Sequence, residues 1–331
     1  MEKILIIGGT NFIGRNLVEQ LKNKDKYELT LLNRGITNAN LFPGIKKIKG
    51  DRNTKEIAEL VRGNWDYIID LSCYFPKSLE HILGAISTKL KRFIFISTVS
   101  VYENGEQILK DESERTQAFT REIYDDDTSE TYGKRKAACE EIIKSSGINY
   151  TILRPSLVYG KYDHTDRFYY WLYQVKKYEK VLLPNNGIQK TSLTYVQDLI
   201  KSIVLSINEG KDKNIYNIIS HPETSIADIV NVASKLLKKS PETKNVSGKY
   251  LLDNNIYEWT KMPLWINSNY DTQDNKKILK SYNLEIVPLE ESIKATIAYY
   301  QEMNWYEPKY GITRMKQLEL MNNYEKELYS R

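Results

Sequence analysis

Residues 4–14 read Ile-Leu-Ile-Ile-Gly-Gly-Thr-Asn-Phe-Ile-Gly, a short apolar run that meets two glycines and is closed by a third at position 14. This is a buried strand that turns sharply into a helix, the opening of a βαβ unit that holds a dinucleotide. Gly8 lets the chain turn, and Gly14 lets the helix lie close on the strand. The backbone N–H groups of Gly9, Thr10, Asn11, Phe12 and Ile13 then face a pyrophosphate, and the helix dipole favours its charge. The usual middle glycine is Asn11 here, so the pattern is incomplete. An ordinary first βα turn of another α/β fold fits the same residues.

The periodicity of the rest of the chain favours the dinucleotide reading. Short apolar runs over residues 4–7, 28–32, 45–49, 67–71, 93–97 and 150–154 alternate with amphipathic stretches over 15–23, 56–62, 79–90 and 132–145. Strands that are apolar almost throughout belong in a parallel sheet covered on both faces. The expectation is an α/β protein with a Rossmann-type, doubly wound parallel sheet of order 3-2-1-4-5-6 over residues 1–160. Residues 103–131 are polar and aperiodic, and a loop that long inside a compact domain is more often functional than idle. Past residue 160 the pattern loosens. A strand end runs into a helix over 192–206, a strand covers 215–219, a helix covers 226–237, and 250–331 carries aromatics and amphipathic helices. This predicts a smaller, mixed C-terminal substrate lobe over 161–331, with 191–220 packing back on the first domain.

Charge and cysteine usage narrow the class. The 48 Lys and Arg are interspersed with 43 Asp and Glu for a net charge of +5, which argues against a nucleic-acid partner. Cys73 and Cys139 are too few for a disulfide framework and suit a reducing compartment. His81, His164 and His221 are scattered, so no metal is expected. Nothing reaches membrane-span length, and residues 1–7 are too short for a signal-peptide core. The expectation is a cytoplasmic protein with a small-molecule substrate and no membrane partner.

Tyr132 and Lys136 share one helix face. A tyrosine beside an ammonium has its pKa drawn down from about 10 toward working pH, which makes it a usable general acid/base. With 25 tyrosines, such spacing arises by chance, and Tyr173/Lys177 and Tyr257/Lys261 repeat it. Only Tyr132 opens the helix between strands five and six, at the carboxyl end of the sheet where clefts form. Strand five ends in Ser97 and Thr98. Thr98 emerges at the cleft, where its hydroxyl can bind a substrate oxygen beside Tyr132.

These residues carry a resemblance. The chain resembles the extended short-chain dehydrogenase/reductases of the NAD-dependent epimerase/dehydratase type, in an atypical subgroup with Gly-Gly-x-x-x-x-Gly, here Gly8-Gly9 through Gly14. Leu31-Leu-Asn-Arg-Gly35, Leu41-Phe-Pro-Gly44 and Gly50-Asp-Arg52 resemble its early landmarks. Ser97-Thr98 with Val101-Tyr102, Glu130-Thr-Tyr-Gly-x-x-Lys136, and Arg154-Pro155 with Tyr159-Gly160 resemble its active-site segments. Asp166-Arg167-Phe168, Pro263-Leu-Trp265 and Gly311-Ile-Thr313 extend the likeness to the C-terminal part. The resemblance implies Tyr132 as acid/base, Lys136 on the nicotinamide ribose, and Thr98 as the third member. It implies cofactor contacts from Leu71, Ser72, Pro155 and Ser156. The superfamily's frequent active-site asparagine has no clear counterpart, and Ser72-Cys73 stand near where its segment ends.

Cofactor choice follows from charge. NAD-binding units place a carboxylate after strand two to bind the ribose 2′-hydroxyl. Asn33-Arg34 stand there instead, and a guanidinium binds a 2′-phosphate in fork geometry. NADP is therefore favoured over NAD. Asp51, with Arg52, falls near the adenine, although a turn aspartate beside Gly50 fits Asp51 as well. Ser100, His164 and Arg167 are the substrate candidates, Arg167 for a phosphate or carboxylate, while Asp198 reads as structural. The expected function is an NAD(P)-dependent oxidoreductase, epimerase or dehydratase acting on a nucleotide sugar or another hydroxylated metabolite, as a monomer or homodimer. The alternative is a non-catalytic dinucleotide-fold protein that binds RNA or senses redox state.

Overall fold

The computed structural model describes residues 1–329 apart from 88, 106 and 269. Those three, with 330 and 331, fall in the expected 79–90 helix, the 103–131 loop and the C-terminal lobe, and lie outside the described residues. β1 (Glu2–Ile7) shows how the core divides. Side chains alternate across a strand. Ile4 and Ile6 enter one buried cluster with Leu17, Val18, Ile203 and Ile207, and Leu5 and Ile7 enter another with Ile57, Leu79, Ile82 and Ile143. A strand apolar on both faces needs helices on both, and the chain provides them.

The alternation then runs through α1 (Phe12–Leu21), β2 (Tyr27–Asn33), β3 (Lys46–Lys49), α2 (Ile57–Leu60), β4 (Tyr67–Asp70), α3 (Pro76–Ala85), β5 (Arg92–Ile96), α4 (Tyr132–Ser145) and β6 (Tyr150–Pro155). Beyond these come β7 (Leu157–Tyr159), α5 (Tyr169–Lys177), β8 (Lys180–Pro184), β9 (Lys190–Tyr195), α6 (Val196–Asn208), β10 (Asn214–Ile218), β11 (His221–Thr224) and α7 (Ile226–Leu237). The chain continues through β12 (Glu242–Val246), α8 (Gly248–Asp253), β13 (Tyr270–Asp271), α9 (Lys276–Tyr282), α10 (Leu289–Glu302) and α11 (Arg314–Tyr329).

The central sheet has seven strands in the order β3-β2-β1-β4-β5-β6-β10, all parallel. The expected 3-2-1-4-5-6 order is present, and β10 adds a seventh strand on β6 with Ile215 opposite Ile152. α6 packs on α1. The order reverses between β1 and β4, so the cleft of such a sheet opens beyond the carboxyl ends of these strands. β9 leaves the main sheet for a smaller one with β11, β13 and β7, and β8 pairs with β12.

Several elements differ from the sequence expectation, among them α1, which starts at Phe12 rather than at 15. α3 starts at Pro76 rather than at 79, because proline fits the first helical position where no N–H is needed. It ends at Ala85, where Ile86 turns extended. In the C-terminal part, residues 270–271 form a short strand on β9 where only helices were expected.

Candidate active site

The glycine turn is a cradle with little room in it. Gly8 has φ +95°, a conformation that side chains strain to adopt. A Cβ on Gly14 would collide with the Gly8 carbonyl oxygen, so glycine alone lets α1 start this close to the strand. Asn11 stands at the N-cap, and its side chain makes no capping hydrogen bond. The first N–H groups of the helix are therefore left for an anion. Phe12 is buried, and Ile13 is partly buried against the same core. The Thr10 hydroxyl donates to the Thr37 carbonyl at 2.9 Å, and the Asn38 amide donates to the Thr10 carbonyl at 2.9 Å. These bonds tie the turn to the segment after Arg34.

Tyr132 is the first residue of α4, and the helix start is pressed against the end of β5. A Cβ on Gly133 would strike the Ser100 carbonyl oxygen and the Gln117 amide. Thr98 caps the short turn Val99–Val101, accepting from the Ser100 N–H at 3.1 Å. The Thr98 hydroxyl faces the Tyr132 phenol and favours its ionised form.

The expectation that Lys136 lowers the pKa of Tyr132 is corrected here. Burial raises the phenol above its usual value, and the groups that oppose this most are the Thr98 hydroxyl and the charges of Arg167 and Arg135. Lys136 is directed elsewhere. It is 3 % exposed, and its ammonium donates to the carbonyl oxygens of Cys73 at 2.9 Å and Ile96 at 2.6 Å. The chance pairs meet neither Thr98 nor Ser100: Tyr173 packs between Tyr169 and Tyr178, and Tyr257 bonds Asn255 at 3.1 Å.

A buried polar chain fixes these elements to one another. Ser97 donates to Glu140 at 2.6 Å, and Arg154 grips both oxygens of Glu140, at 2.9 and 2.5 Å. Arg154 also donates to the Tyr102 hydroxyl at 3.0 Å, which donates to Asn217 at 2.6 Å. An ion pair this buried loses several kcal/mol to desolvation and persists when hydrogen bonds satisfy both partners. In the sequence Arg154 stands out only as part of the Arg154-Pro155 motif, and nothing there marks Glu140.

The remaining predicted residues scatter in their roles. Arg52, expected on the cofactor, instead meets Asp70 through both terminal nitrogens, at 2.5 and 2.8 Å, and donates to Ser78 at 3.0 Å. The buried carboxylate at the end of β4 requires a cation, so Arg52 braces the strand end. Ser72 lies beside it, 3.4 Å from the guanidinium, and the Leu71 N–H donates to the Ile7 carbonyl at 3.1 Å. Asp51 accepts from the Asn53 N–H at 2.9 Å, as a turn aspartate does. Asn33 ends β2, and Arg34 comes next in the chain, exposed, with no partner among the described residues. Pro155 pairs in register with Ile218. The Ser156 hydroxyl donates to the Ser192 carbonyl at 2.8 Å, which ties β6 to the smaller sheet.

Two of the three substrate candidates are carried by the segment after β7. His164 sets its ring edge-on to Phe12 at 6.3 Å, over the start of α1. Arg167 is half-buried, donates to the Thr165 hydroxyl at 3.4 Å, and acts with its charge on Tyr132. Asp163, which opens the Asp163-His-Thr-Asp-Arg167 segment expected along the cleft, holds this turn by accepting from the Thr165 N–H and hydroxyl at 2.9 and 2.8 Å. Its other oxygen is buried without a partner, and burial pushes the carboxyl up to about 6. Ser100, the third candidate, is exposed at the cleft. Tyr74 also escapes a reading of the sequence. It is 52 % exposed, and its ring lies 6.1 Å from that of Tyr132. The one signal for it is its place directly after Ser72-Cys73.

Known proteins resemble this chain in sequence and fold. A profile of the NAD dependent epimerase/dehydratase family matches residues 4–218. The chain is 26% identical over 250 residues to chloroplast stem-loop binding protein of 41 kDa b from Arabidopsis thaliana, covering 71% of this chain and 63% of that protein, less than two thirds of its length. It is 24% identical over 349 residues to human dTDP-D-glucose 4,6-dehydratase, covering 92% of each. UDP-glucose 4-epimerase of Vibrio cholerae is 27% identical over 264 residues, covering 72% of this chain and 76% of the epimerase. Among solved structures, UDP-glucose 4-epimerase with UDP-glucose from Thermotoga maritima superposes with a TM-score of 0.71 at 20% identity, covering 91% of this chain and 99% of that one. UDP-glucuronic acid 4-epimerase from Bacillus cereus, in complex with UDP-glucuronic acid and NAD, gives 0.69 at 21% identity with the same coverage. At such identities the superpositions speak to the fold.

Proposed function

Because the chain belongs to the NAD dependent epimerase/dehydratase family, we propose that it is an NAD(P)-dependent enzyme acting on a hydroxyl- or carbonyl-bearing carbon of a nucleotide sugar. The observation that carries this reading is the Thr98 hydroxyl facing the Tyr132 phenol at the carboxyl end of a doubly wound sheet, beside the glycine cradle. The cradle suits a dinucleotide, since Gly8 and Gly14 let α1 start close on the strand and the uncapped helix start leaves its N–H donors for the phosphates. Gly8 through Gly14 would hold the pyrophosphate, and Lys136 the nicotinamide ribose. A bound nicotinamide would supply or take up the hydride.

Tyr132 moves the proton. Burial keeps its phenol protonated near neutrality, so it can give its proton to a substrate carbonyl oxygen and take it back in the reverse direction. Thr98 orients that oxygen and steadies the phenolate. Ser100, His164 and Arg167 line the substrate side, with Arg167 meeting a phosphate or carboxylate. Residues 1–160 form the nucleotide half and 161–331 the substrate lobe. NADP(H) is preferred over NAD(H) on the strength of exposed Arg34 and the lack of a carboxylate after β2, although the Bacillus cereus structure is in complex with NAD. The protein acts in the cytoplasm, in keeping with its two free cysteines, as a monomer or as a homodimer through α3 and α4.

A second reading, RNA binding without turnover, draws on the likeness to the Arabidopsis stem-loop binding protein. One experiment separates the two. The purified protein is incubated with NAD+ or NADP+ and each of UDP-glucose, UDP-glucuronic acid and dTDP-glucose, and products are followed by chromatography. Turnover that Tyr132→Phe abolishes supports the enzyme. No turnover on this panel, together with salt-sensitive retention of a stem-loop RNA, supports the rival.

A further inference from the structure

Tyr74 is an aromatic ring at the mouth of the site that the chemistry above does not use. Its backbone is held on several sides. The Ser72 N–H donates to Asp70 at 3.2 Å, Lys136 donates to the Cys73 carbonyl at 2.9 Å, and Arg135 donates to the Tyr74 carbonyl at 3.5 Å. Phe75 lies under the Arg135 guanidinium at 4.9 Å, and Pro76 starts α3. Tyr74 is nonetheless 52 % exposed. Its exposure is thus built into a fixed backbone. Its hydroxyl makes no hydrogen bond among the described residues. The ring is tilted 40° to that of Tyr132 with centroids 6.1 Å apart, and the Lys136 ammonium lies 5.7 Å from its centre.

We infer that Tyr74 is a specificity-determining residue whose ring is a platform for the C–H face of the sugar ring presented to Tyr132. The inference rests on the nucleotide-sugar reading. A pyranose carries hydroxyls at its edge and polarised C–H groups on its faces. The face of an aromatic ring is electron-rich and suits such C–H groups. Thr98, Ser100 and Arg167 supply donors and acceptors for the edge. Tyr74 supplies apolar surface next to the proton donor, which an isolated phosphate or carboxylate could not use.

The test is calorimetric titration of the NAD+-loaded protein with UDP-glucose, UDP-glucuronic acid, dTDP-glucose and UDP, for wild type, Tyr74→Ala and Tyr74→Phe. The side chain is exposed enough for both variants to fold, and melting curves verify this. Tyr74→Ala is expected to weaken sugar-nucleotide binding roughly three- to tenfold while leaving UDP and NAD+ affinity unchanged, and Tyr74→Phe to restore it. Equal weakening of UDP, weakening of NAD+, or no change overturns the inference and leaves the substrate reading standing. A wild-type protein that binds none of the three sugar nucleotides overturns both.

Discussion

The Lys136 ammonium donates to the carbonyl oxygen of Cys73 at 2.9 Å, so α4 holds the loop after β4. The second bond, to the Ile96 carbonyl at 2.6 Å, holds the end of β5 in the same way. Lys136→Met keeps the stem and leaves two buried carbonyls without a donor, each worth about 1–3 kcal/mol. Urea denaturation should show the loss, and NAD+ titration should show weakened binding. Lys136→Arg should rescue neither, since a planar fork cannot replace a compact ammonium there. An unchanged urea midpoint in Lys136→Met would remove the bracing role.

Tyr132→Phe deletes one hydroxyl and keeps the ring. Turnover on an identified sugar nucleotide should fall about 10²–10⁴-fold with NAD+ affinity intact. Tyr173→Phe is the control and should leave turnover unchanged. The reverse pattern would mean that the working tyrosine lies in α5.

Arg167 acts on the Tyr132 phenol by favouring its ionised form. Removing that charge raises the phenol's pKa further. Where Tyr132 serves as the acid, activity is lost as pH rises through that value, so Arg167→Gln should move the alkaline limb of the kcat/KM profile to higher pH. A limb that moves downward, or stays in place, contradicts the assignment.

His221 and Asp163 should pull stability in opposite directions in mildly acid solution. Burial drives His221 down from 6.5 to about 4. The unfolded chain then binds the extra proton between those values, and the histidine's share of stability is lost as pH falls from 6.5 to about 4. Asp163 is pushed up from 3.8 to about 6, so the folded chain holds the extra proton and stability falls as pH rises through that window. Asp163→Asn should leave a stability that climbs with pH between about 4 and 6, and His221→Gln one that declines. Melting temperatures across this range decide it, and identical slopes in the two variants would exclude the account.

Arg34 is exposed at the end of β2. If it reads a 2′-phosphate, NADPH should bind more tightly than NADH, and Arg34→Ala should erase the difference. Fluorescence titration measures both. A preference that survives the substitution belongs to other residues.

The parallel sheet is legible in the sequence because its signal is local. Ile4 through Ile7 are apolar on both faces, and two buried clusters receive them alternately. The first residue of α4 is legible too, since Tyr132 comes after a long polar loop. The pairing of polar side chains across distance is not. Nothing near Arg52 in sequence announces Asp70, and nothing near Glu140 announces Arg154. The effect of burial on Tyr132 is equally hidden, because spacing shows which residues share a helix face but not how much water reaches them. For the same reason spacing assigns Lys136 to the phenol, when two carbonyls stand closer.

The pairing of β10 with β6 affects how the protein emerges from the ribosome. Asn217 on β10 accepts from the Tyr102 hydroxyl at 2.6 Å, and its N–H donates to Glu112 at 2.7 Å. Until residue 218 has been synthesised, the nascent chain carries β6 as a bare sheet edge, with Tyr102 and Arg154 at the end of an unfinished polar chain. An unfinished edge of this kind is where another chain can add. Closing it requires a contact about sixty residues away in sequence, the type of separation that slows folding. A fragment ending at residue 160 should therefore aggregate, and one extended through β10 should gain solubility.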